Sequence, residues 1–276
     1  AIAIPLAWRA LPRTPSSGAR FDEPSAIWSA LTFGLLISAI AGLGHGEGAS
    51  MAGAELCIAM VFAFVLVTRQ LSQSSPMLPV DLLRIPLFRM SVATSICSFL
   101  AQNMALVSLP FLFENTLGRS QVETGLLLTP WPLAVAVIAP FTGRLSDRYP
   151  AGLLGGCGLA VMATGLALLG LLPPHPTATD IVWRMLICGI GFGFFNTPNN
   201  RAIITSAPPT RAGAASGMQA TSRLLGQSMG AATVALLFGR FPVHGTTITL
   251  VVAACAAAGA AVVSFLRLVE REQTVP

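Results

Sequence analysis

Eight stretches of this chain are apolar and of a length to be weighed as bilayer crossings, and that restricts the fold more than any other feature. A hydrocarbon core of about 30 Å takes roughly 17 to 25 helical residues to cross. The stretches cover residues 26–43, 52–67, 91–113, 124–141, 152–172, 181–203, 216–238 and 246–266 of a 276-residue sequence. The second is the shortest, and Glu55 near its start is placed to reach back to the interface. Apolar residue types make up 54% of the chain and charged types 10%. With a mean hydropathy of +0.73, this lies outside the range of soluble domains. In hydrocarbon every backbone N–H and C=O must be satisfied internally, which leaves helices or a closed barrel. Barrel strands run to about ten residues and alternate in polarity, unlike these stretches. The expected fold class is therefore all-α, a polytopic membrane protein with eight transmembrane helices.

Charge sets the expected orientation. All 16 basic residues are arginine. If the connection "GRLSDRY" is placed inside, twelve arginines fall on that side (9, 13, 20, 69, 84, 89, 144, 148, 201, 211, 267 and 271) and three on the other (119, 184 and 240). Such a bias predicts that this side, and with it both ends of the chain, is cytoplasmic. The sequence pI of about 9.5 then reflects charge at the inner leaflet, and no basic domain supports nucleic-acid binding. The five cysteines (57, 97, 157, 188 and 255) fall inside expected spans and read as small apolar packing residues, with no metal-ligand spacing. The three histidines lie in outer connections, and neither HExxH nor GxSxG occurs. No metal, no cofactor and no catalytic residues are expected.

The layout follows. Residues 1–25 read as the last turns of a preceding helix and a cytoplasmic linker, since "AIAIPLAWRALP" has neither the basic start nor the cleavage site of a signal peptide. Residues 26–67 form a helix pair, 68–90 a cytoplasmic loop, 91–268 a six-helix bundle and 269–276 a cytoplasmic tail. Within the loop, "LLRIPLF" is suited to lie on the membrane surface as a short amphipathic segment.

Polar residues in the six-helix unit fall in stripes. Ser91, Ser95, Ser98 and Gln102 share one helix face, with Asn103 and Glu114 on a neighbouring one. Gly189, Gly193, Asn196 and Asn200 form a second line, and Arg223, Gly226, Gly230 and Thr233 a third. Lipid satisfies neither amides nor a guanidinium, so these stripes face protein or a water-filled cavity. Close helix packing is the reading for the glycines; for Asn196, Asn199 and Asn200 packing and cavity lining both stand. Prolines 110, 130, 132, 140 and 198 interrupt helices, which transporters tolerate around a cavity.

Gly143, Leu145, Asp147 and Arg148 in "GRLSDRY" resemble the G-x-L-x-D-R signature of the major facilitator superfamily, found between the second and third helices of a six-helix half. "GRSQVETGLLLTPWPLAVAVIAPFTGRLSDR" and "GAASGMQATSRLLGQSMGAA" look like the fourteen-span drug/proton antiporters of that superfamily. The run "FNTPNNRAIITSAPPTRAGAASGMQATSRLLGQSMG" is similar to exporters of methyl viologen and quaternary ammonium antiseptics, the SmvA-like type. The resemblance makes the chain helices seven to fourteen, that is, the extra helix pair and the C-terminal bundle, with the N-terminal six-helix bundle as a missing partner. One departure is that Pro150, Ala151 and Gly152 stand where the family loop continues with glycine and two basic residues.

The resemblance implies part of a proton-coupled multidrug antiporter of the bacterial inner membrane. It exports lipophilic cations by alternating access, with the proton gradient as its energy source, and protons and membrane lipid are its other partners. A metabolite or siderophore exporter, or a fragment inert on its own, are the alternatives. Glu114 is assigned proton or cation binding, and Phe111, Phe113 and Trp131 a cation–π surface. Gln102, Asn103, Asn196 and Asn200 are assigned cavity lining. For Glu114, simple solvation near the interface stands beside that role. Gly143, Arg144, Asp147 and Arg148 are assigned gating: a tight glycine turn at Gly143 and Asp147 capping a helix start while an arginine holds it. The alternative is that the arginines only fix topology. Arg223 reads as a buried structural charge bonded to carbonyls or an asparagine.

Overall fold

The computed structural model describes residues 80–273 continuously, and before them residues 27, 28, 30–32, 34, 35, 38, 54, 55, 57–62, 64, 65 and 68. The earlier residues are helical in two groups that touch, with the rings of Trp28 and Phe62 edge to face at 5.1 Å. They fall within residues 26–67, where a helix pair is expected. The expectations for residues 1–25, for the start of the following loop and for residues 274–276 lie outside the described residues.

Helix α1, Pro86–Phe111, starts where Ile85 is extended and Pro86 occupies the first turn, a position whose N–H has no intrahelical partner in any case. Its last turns widen into a π-helical segment, Leu112–Thr116, just beyond Pro110. Helices α2, Gln121–Leu128, and α3, Pro130–Leu145, are separated at Thr129 and make one crossing. Helix α4 is Ala151–Gly170, α5 Ala178–Ser206, α6 Ala212–Arg240 and α7 Gly245–Gln273. Capping boxes fix two starts: Ser120 with Glu123 before α2, and Thr177 with Asp180 before α5. Among the described residues, α1 with its π turn, α2–α3, α4, α5 and α7 are long and apolar enough to cross a membrane. Helix α6 has the length, at 29 residues, but its polar face lowers its hydropathy.

The segment expected on the membrane surface is instead folded into the end of the bundle. A 3-10 turn, Val80–Arg84, precedes α1, and Leu82 and Phe88 are buried with Ile203, Ala207, Ala215 and Met218. Asp81 accepts two hydrogen bonds from the Arg211 guanidinium, at 3.0 and 3.2 Å. An apolar cluster and a bidentate ion pair outweigh what the interface offers this short stretch.

The helices pack in a consistent order. Helix α5 lies against α3 and α4, α7 against α4 and α1, and α6 against α1. Small residues permit the tightest crossings. A Cβ on Gly158 would stand 2.6 Å from the Phe195 nitrogen, and one on Gly191 2.4 Å from the Met162 nitrogen. Gly226 and Gly230 likewise lie on α1, where a Cβ would meet the carbonyls of Ile96 and Leu100 at 2.5 and 2.7 Å. The glycine stripes are thus packing surfaces. Gly143 is different: it sits inside α3, and a Cβ there would meet nothing within 4 Å, so neither a tight turn nor a close approach depends on it.

Replacing Gly191 by alanine is expected to destabilise the protein by about 1–3 kcal/mol, because backbone faces the new methyl and cannot yield as a flexible side chain would. Gly125→Ala, in open space, is expected to leave the thermal midpoint of the detergent-solubilised protein unchanged or slightly higher. Equal midpoints for the two variants would contradict the packing described.

Candidate functional site

Helices α1, α5 and α6 wall a cavity of about 550 Å³. Phe99 and Gln102 come from α1, and Phe192, Asn196 and Asn200 from α5. Helix α6 supplies Ser216, Gln219, Ala220, Arg223, Leu224 and Gln227. Within a bundle built of apolar helices, this is a surface of amides, one hydroxyl, one guanidinium and two aromatic rings. Asn200 donates to the Asn196 side-chain oxygen at 3.2 Å, so the two amides are held as a pair along α5. The rings of Phe99 and Phe192 meet edge to face at 5.4 Å. The Arg223 guanidinium carbon lies 5.8 Å from the centre of the Phe99 ring, within cation–π range. Arg223 is the single charged residue among those lining the cavity.

A second polar region lies deeper, between α1, α5 and α7. Arg267 is 3% exposed. It donates to Asn199 Oδ1 at 2.8 Å and to Ser91 Oγ at 3.2 Å, and makes a further contact with Thr94 Oγ1. The Asn199 amide donates in turn to the Ser91 carbonyl at 3.2 Å and to Ser95 Oγ at 2.9 Å. Thr94 also donates to Asn199 Oδ1 at 3.3 Å. Asn199 therefore uses both donors and its acceptor, and it holds three helices together through one arginine.

The expected site residues divide accordingly. Gln102, Asn196 and Asn200 are among the residues lining the cavity. Asn103, one residue from Gln102, does not: its amide donates to the Gln227 carbonyl at 2.7 Å and ties α1 to α6. Asn199 packs rather than lines. Phe113 and Trp131 are buried in the apolar core, and Phe111 stacks edge to face on Phe238 at 5.3 Å. Phe113 and Trp131 are enclosed and do not offer the expected aromatic surface, and Phe111, though 47% exposed, lies outside the cavity lining; the rings on the cavity wall are Phe99 and Phe192. Glu114 is half-buried on the π-helical turn, outside the cavity lining. Arg223, expected to be buried and bonded, is instead exposed on the cavity wall, with its guanidinium near the Phe99 ring. Asp147 caps no helix, since Pro150 occupies the N-cap of α4 without a side-chain bond. It forms an ion pair with Arg201 at the end of α5, with both side chains more than half exposed; the arginine that holds it is neither Arg144 nor Arg148. Arg267, counted among the topology-setting arginines, is a buried bonding centre. Ser216, Gln219 and Gln227 are legible in the sequence as the face of Arg223, at helical spacings from it; Phe99 and Phe192 carry no distinguishing signal.

Similarity to known proteins agrees with this architecture. Residues 1–231 match the family description Major Facilitator Superfamily. The chain is 55% identical over 271 residues to the protein named "Uncharacterized transporter YebQ" of Escherichia coli (strain K12), covering 98% of this chain and 59% of that protein. It is 29% identical to "Multidrug resistance protein Stp" of Mycobacterium tuberculosis (78% of this chain, 40% of that one). To "Multidrug efflux pump LfrA" of Mycolicibacterium smegmatis it is 25% identical (83% and 45%). The chain thus spans at most about three fifths of these relatives. A crystal structure of a POT family transporter in complex with 5-aminolevulinic acid matches with a TM-score of 0.52 at 14% identity, over 97% of this chain and 50% of that one. That match shows a shared fold.

Removing the Asn199 amide strips Arg267 of a charge-assisted acceptor inside the bundle. Asn199→Ala is expected to cost about 1.5–3 kcal/mol, read as a lower thermal midpoint. Asn200→Ala, which loses one bond at a cavity wall, is expected to change the midpoint little. Equal effects would mean that the buried network does not hold the helices.

Proposed function

This chain belongs to the Major Facilitator Superfamily, and we propose that it forms one wall of the translocation path of a multidrug exporter working by alternating access. The observation that carries this reading is the cavity, where amides, a guanidinium and two aromatic rings from three helices are gathered on one side of an otherwise apolar bundle. Such groups cost free energy in lipid, and a bundle that only anchored a protein would have no use for them. We infer that the facing wall is a second six-helix bundle of a full-length transporter, consistent with relatives well beyond this chain in length. The proposed location is the bacterial inner membrane with the GRLSDRY end cytoplasmic, an orientation that the arginine distribution supports.

The proposed substrates are amphipathic organic cations, of the methyl viologen and quaternary ammonium class. Two named relatives are multidrug proteins, and the cavity lining combines amides and a hydroxyl with the largely buried rings of Phe99 and Phe192, a mixed surface that suits amphipathic molecules. Since the lining contributed by this chain carries Arg223 and no carboxylate, the counter-charge for a cation is assigned to the facing bundle, where it also balances Arg223. Outward transport is coupled to proton entry, and Glu114 is the proposed proton-exchanging acid of this chain. It lies on a π-helical turn beside a proline, an irregularity often found at functional positions. The Asp147–Arg201 pair, exposed and made between the GRLSDRY turn and α5, is the proposed contact that breaks and reforms as the bundles rock.

Full-length protein expressed in a bacterial host lacking its own exporters is expected to lower accumulation of a fluorescent lipophilic cation such as ethidium. Asn196→Ala and Gln219→Ala are each expected to weaken export by about fivefold, the worth of roughly one hydrogen bond. Unchanged accumulation with correctly inserted protein overturns the substrate class. In the same assay Glu114→Gln is expected to abolish the dependence of export on an imposed proton gradient; retained dependence removes Glu114 from the coupling mechanism.

A further inference from the structure

We propose that Arg223 sets the specificity of the large cavity by binding a carboxylate or sulfonate carried by the substrate. The preferred substrates are then amphipathic zwitterions, organic cations that also bear an acidic group. This rests on the reading of the cavity as part of a translocation path, and it narrows the substrate class of that same site.

Arg223 lies about 16 Å along α6 from its start at Ala212, at 1.5 Å of rise per residue. A cation so far from a helix end is costly in a membrane protein and marks a functional position. Its side chain is exposed on the wall of the 550 Å³ cavity. The ion pairs among the described residues are Arg201–Asp147 and Arg211–Asp81. Arg223 takes part in neither and makes no hydrogen bond among the described residues; its guanidinium carbon lies 5.8 Å from the centre of the Phe99 ring. It differs in this from Arg201, paired with Asp147, and from Arg267, enclosed by Ser91, Thr94 and Asn199. The N–H donors of Arg223 are left for whatever enters the cavity, and their planar fork matches two oxygens of one acidic group.

The surroundings suit an acidic group on an organic molecule. Gln219 and Gln227 stand one helical turn to either side of Arg223 and line the cavity with it, so their amides add neutral donors to the same wall. The volume is that of a pocket for a drug-sized ligand. Arg223 is the single charge in the lining, and a purely cationic substrate is repelled by it. Such a substrate draws its attraction from the facing bundle alone. A zwitterion gains on both sides: its cation meets the counter-charge assigned to the facing bundle, and its acidic group meets Arg223.

The test measures binding to purified full-length protein in neutral detergent by fluorescence anisotropy. The probes are a rhodamine with a free benzoate and its methyl ester, which differ by that one negative charge. The free acid is expected to bind about tenfold more tightly than the ester. Arg223→Gln is expected to remove this preference by weakening binding of the acid alone. Arg223→Lys, which keeps the charge without the fork, is expected to reduce the preference and serves if Arg223→Gln fails to fold. Arg240→Gln, the same charge change at the far end of α6, is expected to leave it in place. Binding of the ester with no preference for the acid, or a preference that both Arg223 variants retain, overturns the assignment to Arg223 and leaves the translocation-path reading standing. Binding of neither dye by folded protein overturns both.

Discussion

Hydrocarbon offers no partner to a polar group, and the arrangement of this bundle follows from that one deficit. Each crossing satisfies its backbone by being helical, so what remains to be placed are the side chains that cannot face lipid. They are few, and they are concentrated on α1, α5 and α6, with Arg267 on α7. Helix α4 is apolar and glycine-rich instead, and with α7 it backs the helices that wall the cavity. The residues that pack and the residues that line the cavity are thereby assigned to different helix faces.

Two polar regions result, and they differ in kind. Around Arg267 the partners are neutral side chains of α1 and α5, Ser91, Thr94 and Asn199, which lock three helices together. Gln102, Asn196, Gln219 and Arg223 instead line the open cavity. Close glycine crossings set both regions in place. Gly226 and Gly230 bring α6 onto α1, so that Gln219, Arg223 and Gln227 stand opposite Phe99 and Gln102. Gly158 and Gly191 bring α4 onto α5 and fix the line of Asn196, Asn199 and Asn200.

Much of this is readable along the chain. Helix number and rough bounds follow from apolar length, and the stripes of Gln102, Asn196 and Asn200 follow from helical spacing. What is not readable is which neighbour a side chain meets. Gln102 and Asn103 are adjacent, yet a rotation of about 100° sends one to the cavity and the other to a carbonyl of α6. Arg267 near the end of a span reads as an interfacial charge, since its partners Ser91, Thr94 and Asn199 are 176, 173 and 68 residues away. Phe111, Phe113 and Trp131 suggest a common surface by their nearness to Glu114, but the core takes two of them and Phe238 the third. Sequence order carries no record of such long-range choices.

Central to all of this is that water bathes the polar face of α5 and α6 while the outer faces of the bundle meet lipid. Single cysteines in a background lacking the five native ones, probed in native membranes with a membrane-impermeant maleimide, measure this directly. Cysteine at Asn196 or Gln219 is expected to react readily, and cysteine at Leu126, on an exposed apolar face, to resist. Reaction at Leu126 with protection at both cavity positions would contradict the account.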